Sequence, residues 1–166
     1  MRYYTKTLQL LIILLVFTFG CNLKQKENQA IQFGNEENYI VIADTIINDV
    51  VVKNPNQDEW TDICLRNLDK KMLVDEIFKS VYSGKLIPHE FFNNEVLSID
   101  DIKALEDDPD FNRDLIAKVQ FEEAWYFDPE SQKMIKKVHS IMLAYEIYNS
   151  LGEIRGYKPA FKVYLK

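Results

Sequence analysis

The sequence predicts an α+β fold: a small antiparallel sheet, made of a C-terminal hairpin plus a third strand, packed against one or two helices. Three observations carry the prediction. Residues 117–127 alternate with period two, the odd positions reading Ala117, Val119, Phe121, Glu123, Trp125 and Phe127. Residues 133–147 alternate again through Ile135, Lys137, His139, Ile141, Leu143, Tyr145 and Ile147, and the turn Asp128-Pro-Glu-Ser131 joins the two runs into a hairpin. Residues 69–83 change period: Met72, Leu73, Ile77, Phe78 and Val81 fall at helical spacing, and Gly84 stands where a C-terminal cap belongs.

The remaining segments fit around these. Residues 39–52 are rich in β-branched side chains and read as one or two strands. Residues 54–59 (NPNQDE) form a turn. Residues 60–68 read equally as strand or helix, and residues 85–92 as a connector with a short strand. Ser98 with Asp101 is a capping arrangement before a short helix over 99–106. A loop over 149–158, carrying Gly152 and Gly156, leads to a last strand over 160–165 that places Phe161, Val163 and Leu165 on one face. The expected sheet has three or four strands, and residues 39–166 form one domain. The 166 residues are 47% hydrophobic and 13% aromatic, enough apolar area to offset the entropy of ordering a packed core.

Ahead of this domain the chain reads as an address. Arg2 and Lys6 precede a run over residues 8–19 in which only Gln9 and Thr18 are polar, and Gly20-Cys21 follows. Twelve residues are too few to span a ~30 Å hydrocarbon core as a helix, which takes about 20. The run has the length of a signal-peptide hydrophobic region. It resembles the signal of bacterial lipoproteins, with residues 1–20 removed and Cys21 acylated as the new N-terminus. The alternatives are an ordinary secretory signal with an incidental cysteine, or an uncleaved anchor. Residues 21–38 form a polar tether. Losing residues 1–20 removes two basic side chains and no acidic one, so the net charge goes from −6 to −8. Such a body has no electrostatic attraction to anionic lipid, and the acyl chains must hold it. With no basic stripe, nucleic acid is not an expected partner.

The search for chemistry yields little. Two cysteines exclude a disulfide scaffold and Cys-rich zinc patterns. Cys64, among Asp62, Ile63, Leu65 and Arg66, has no evident base beside it and reads as a buried structural cysteine. His139 reads as a packed or half-exposed strand residue on the face of Ile141 and Leu143. His89-Pro88 and Glu90 suggest two metal ligands with no third, so no metal site is assigned. The acidic pairs Asp58-Glu59, Asp100-Asp101, Glu106-Asp107-Asp108 and Glu122-Glu123 read as helix-end charges or solvated turns. No Gly-rich phosphate loop, G-x-S-x-G elbow or H-E-x-x-H is present. No catalytic residue and no cofactor are expected. Trp125-Tyr126-Phe127 is the cluster that suggests binding: on a strand, Trp125 and Phe127 face one way and Tyr126 the other. These three are the candidate partner contacts, and an open sheet edge is a further place for a partner strand.

The C-terminal two thirds also resemble a known family. Trp125-Tyr-Phe-Asp128 followed by Ser131 and a strand resembles the W-F-F-D signature of the GldN (PorN) gliding-motility family. The run from Gly156 through Pro159, Phe161 and Tyr164 is similar to its last strand. Residues 77–86 (IFKSVYSGKL) are similar to its helix and G-K-I turn, and Leu97-Ser-Ile-Asp-Asp-Ile102 to the helix start after it. Ala160 and Lys162 stand where the family has Leu and Trp. The resemblance implies a non-enzymatic component of the periplasmic ring of gliding motility and type IX secretion in Bacteroidetes. The expectation is therefore an outer-membrane or surface lipoprotein of the cell envelope that works through protein partners. The alternative is an envelope lipoprotein that binds a small ligand or glycan through an aromatic pocket.

Overall fold

A computed structural model describes residues 39–166. The apolar run over 8–19, Cys21 and the polar tether over 21–38 lie outside the described residues. In chain order the elements are β1 (Ile40–Val51), α1 (Glu59–Leu65), α2 (Lys70–Tyr82), β2 (Pro88–His89), α3 (Ile99–Asp107), a 3-10 turn (Arg113–Leu115), β3 (Ile116–Asp128), β4 (Lys133–Tyr148) and β5 (Ile154–Tyr164). The five strands form one antiparallel sheet in the order β1-β3-β4-β5-β2. The architecture is α+β.

Local chemistry sets the helix boundaries. Asp58 caps α1 by accepting from the backbone N–H of Thr61 at 2.8 Å, which resolves the ambiguous segment as helix. Asp69 caps α2 by accepting from Met72 N–H at 2.8 Å, and Gly84, at φ +72°, takes the left-handed residue after its end. Ser98 and Asp101 make a reciprocal capping box on α3.

The core lies between the sheet and α2–α3. Val74, Ile77, Phe78 and Val81 of α2 and Ile102 of α3 pack with Ile116, Val119, Leu143, Tyr145, Phe161 and Val163. Phe78 meets Phe161 edge-on at 5.0 Å, and Phe111 meets Tyr145 the same way at 5.0 Å. Arg113 ties the helices together: it stacks 4.1 Å over the Phe78 ring and donates to Glu106 at 2.6 Å and Asp75 at 3.3 Å.

The structure differs from the expectations in four places. The sheet has five strands rather than three or four, because residues 39–52 are one strand and Pro88–His89 adds a two-residue edge. β5 starts at Ile154, not 160; Pro159 fits inside it because the pairing skips Ala160 and the outer side of that stretch is an edge. Strict alternation in β3 and β4 breaks where Glu122 pairs with Ser140 but Glu123 with Val138. His139 is the extra residue of that bulge and is half-buried, while Val138 packs against the core with Ile141 and Leu143. Cys64 is exposed, because α1 buries none of its residues.

Candidate functional site

The β5 pairing of β4 stops at Ser140–Tyr164, yet β3 and β4 pair on to Asp128–Lys133. The N-terminal part of β1 follows β3 over the same stretch, with Ile40 opposite Phe127 and Ile46 opposite Glu123. Three strands thus form an overhang beyond the part of the sheet that α2 and α3 cover. Trp125, Tyr126 and Phe127 all lie on its central strand and are half-buried between neighbours: Trp125 between Ala43 and Lys136, Tyr126 between Val41 and Ile135, Phe127 between Ile40 and Met134.

Glu123 holds this end together. It lies on the strand between Phe121 and Trp125 and is only 4% exposed. It accepts from the Trp125 indole N–H at 2.7 Å, and the Lys136 ammonium sits 3.5 Å from it and 4.4 Å over the Trp125 ring. The pair Glu122-Glu123 is therefore no solvated turn: it falls inside a strand, and one member is buried and paired.

The apolar surface of the overhang lies on β1, which sequence reasoning did not single out. Ile40, Val41, Ile42 and Ile47 are 52%, 57%, 54% and 65% exposed. β1 is the edge of the sheet, so one side of its backbone has no strand beside it among the described residues. Its pairing with β3 is irregular on both sides of Ala43. The signal was present in IVIADTIINDVV, where apolar residues occupy both parities. That is the pattern of a strand buried on both faces, yet four of its apolar side chains are exposed and only its C-terminal end, at Val50, packs against the core.

A second polar cluster sits at the other end of β4. Glu146, 1% exposed, takes hydrogen bonds on Oε2 from the Lys53 ammonium and the Tyr148 hydroxyl, and its Oε1 has no partner. Burial works against the Lys53 charge, but the adjoining carboxylate outweighs it and holds the ammonium above its ordinary pKa. The hydrogen bond to Glu146, helped by burial, raises the Tyr148 phenol. Nearby Lys70 donates to the carbonyls of Asp114 at 2.8 Å and Ile116 at 3.3 Å, and burial with the Lys53 charge lowers its pKa. A cleft of 710 Å³ opens over this cluster.

Of the other residues singled out from the sequence, His89 is on the far edge of the sheet, while His139 lies in the bulge beside Glu123. His89 lies on β2, its Nδ1 3.0 Å from the Ile87 carbonyl and its ring edge-on to Tyr164 at 5.0 Å. The His139 carbonyl accepts from Leu165 N–H at 2.8 Å. Among the described residues no three His, Cys, Asp or Glu side chains gather to hold a metal ion. No protein-family model matches the chain, and no curated protein does.

Proposed function

We propose that this chain is a lipid-anchored, non-enzymatic cell-envelope protein that acts by protein–protein contact, with the β1 edge of the overhang as its docking surface. The observation that carries the reading is the edge itself: a twelve-residue strand with branched apolar side chains exposed on both faces and, among the described residues, no strand along one side of its backbone. Edges of this kind are normally blunted by charge, proline or cover, because they recruit another strand. Here a partner strand would gain main-chain hydrogen bonds on one side and apolar contact above and below. Residues 39–52 carry Asp44 and Asp49 and no Lys or Arg, so the partner strand that fits best alternates apolar residues with cations. The sequence places an acylated Cys21 eighteen residues before Tyr39, a span a polar tether can bridge. A GldN-like part in a gliding-motility or type IX secretion assembly is the narrower form of the proposal, and it rests on the sequence resemblance alone.

The test uses a photo-crosslinking residue at Ile42 or Ile47 of the full chain in its native envelope, with the same residue at Leu151 as control. Crosslinks from β1 and none from Leu151 are expected, together with loss of complex when Thr45→Pro blocks the edge. Equal labelling from all three sites would overturn the docking surface. For the anchor, Cys21→Ser is expected to release the protein from membranes; a variant that stays bound at full length would show an uncleaved anchor instead.

A further inference from the structure

We infer that the cleft over Glu146, at the end of the sheet away from the overhang, is a binding site for a neutral saccharide. This goes beyond the docking reading and does not depend on it. At 710 Å³ the cleft falls within the roughly 300–1,000 Å³ of small-molecule sites. Its walls are preformed. On one side Asn54 donates to the Asp58 carbonyl at 2.7 Å and to Asp62 at 2.8 Å, which fixes the turn that carries Asn56 and Gln57. On the other side Asn149 closes the β4–β5 turn by accepting from Leu151 and Glu153 N–H, both at 2.9 Å.

The chemistry of the walls selects the ligand class. Lys53 and Arg155 balance Glu146 and Glu153, so the cleft offers no net field to favour an anion or a cation. Donors and acceptors are interleaved around it. That suits hydroxyl groups, each of which both donates and accepts. Glu146 is nearly inaccessible, yet one of its oxygens lacks a donor, while the other pins the Lys53 ammonium and the Tyr148 hydroxyl in place. A buried carboxylate with unused capacity at the floor of a cleft is the kind of site that a ligand or ordered water completes. Tyr148, nearly half exposed, supplies an aromatic surface, and Tyr157 lies where the cleft meets a smaller one of 270 Å³ floored by Met142 and Ala144. In that annex Asp49 and Lys118 again balance. Tyr157, with the Lys118 ammonium 4.2 Å over its ring, lines both clefts, which gives more than one sugar ring a place along this face.

The test is an NMR titration of the ¹⁵N-labelled full chain, held in a zwitterionic detergent without a sugar head group, with chitotriose, maltotriose and cellotriose. Trigalacturonate and trialanine are the charged and peptide comparators. At least one neutral trisaccharide is expected to give saturating shifts confined to the two clefts, that is, to residues 53–57, 146–148 and 152–157 and to the annex around Lys118, Met142 and Pro159. Tyr148→Phe, which keeps the ring and loses the hydroxyl oxygen that Glu146 holds in place as an acceptor, is expected to weaken binding about tenfold, the equivalent of one hydrogen bond. Glu146→Gln tests the same point, and Arg155→Ala at the rim keeps the test open if Glu146→Gln fails to fold. No saturating shift from any neutral trisaccharide, shifts outside the two clefts, stronger binding of trigalacturonate or trialanine, or a folded Tyr148→Phe with unchanged affinity would each overturn the assignment.

Discussion

The two ends of the β3–β4 ladder each bury a glutamate two residues ahead of an aromatic on the same strand, Glu123 before Trp125 and Glu146 before Tyr148, and each glutamate pairs with a lysine. The surroundings differ. Glu123 belongs to a three-stranded overhang, and its lysine is half exposed, so the cluster is a lock on a ribbon that lies beyond the cover of α2 and α3. Glu146 lies behind a core of Phe78, Phe111, Tyr145 and Phe161 on the other sheet face, and its lysine is one third exposed. The same short pattern thus serves as a local brace at one end and as the floor of a cleft at the other. What decides is how much apolar cover lies around it. The covered end carries the stability of the fold, and the uncovered end is free to present an edge.

The sharpest way to break this comparison is to truncate one aromatic from each end. Phe78→Ala is expected to cost about 3–5 kcal/mol, since the ring is fully buried and touches Phe111, Phe161 and Arg113. Trp125→Ala is expected to cost about 1–2 kcal/mol, one charge-assisted hydrogen bond and one cation–π contact. Urea denaturation of both variants is the measurement. Equal losses would mean that the overhang is as much core as the helix-covered end. The lysines give a smaller contrast. Lys53→Met leaves Glu146 with the Tyr148 hydroxyl as its one donor and removes a charge that is one third exposed, and is expected to cost about 1–2 kcal/mol. Lys136→Met leaves Glu123 its indole donor and removes a half-exposed charge, for about 0.5 kcal/mol.

The covered end was the more legible one. Helical spacing and caps marked α2 and α3, because Asp69, Ser98 and Asp101 act on backbone groups within three residues. The hairpin was legible for the same local reason: Asp128 accepts from Glu130 and Ser131 N–H in the turn. What sequence reasoning missed is non-local. The Glu122/Glu123 bulge depends on β4 supplying an extra residue, and the break in alternation at Glu123 left no mark that one strand alone could show. The exposure of β1 depends on strand order, since an apolar segment of both parities looks buried until the sheet places it at an edge. The Glu146 cluster joins Lys53 to a residue 93 positions away. Trp125, Tyr126 and Phe127 lie half-buried on the central strand of the overhang, and it is their neighbours on β1 that carry the exposed surface.

A titration separates the ends without removing a side chain from the core. Tyr82 packs at the covered end with its hydroxyl donating to Glu106, and burial together with that carboxylate pushes its pKa up to about 12. The fold holds this proton more tightly than the unfolded chain does. The stability it contributes is present below the ordinary value of 10.0 and lost as pH rises from there toward about 12. Glu106 behaves in the opposite sense. Burial opposes its charge, but Arg113 and Tyr82 outweigh it and depress the carboxyl, so its contribution is present above 4.5 and lost as pH falls through and below that value. Urea midpoints followed from pH 9 to pH 12 are expected to fall, and to fall less in Tyr82→Phe. A Tyr82→Phe curve parallel to the parent would remove the covered end from the alkaline response.

The smallest expected effect lies at the tip of the overhang. Asp128 accepts from the Ser131 hydroxyl, and that bond, with the Ser131 and Glu130 amides, holds its carboxyl below the ordinary value of 3.8. Ser131→Ala takes away the leading cause, so the Asp128 pKa is expected to rise toward the ordinary value, read by NMR of its carboxyl carbon. The thermal midpoint at neutral pH is expected to stay where it is, because the turn is solvated and closes a ribbon whose order comes from the β1 and β4 ladders on either side of β3. A midpoint that dropped as far as in Phe78→Ala would show that the hairpin tip governs the whole fold, and the division between a stabilising end and a presenting end would collapse.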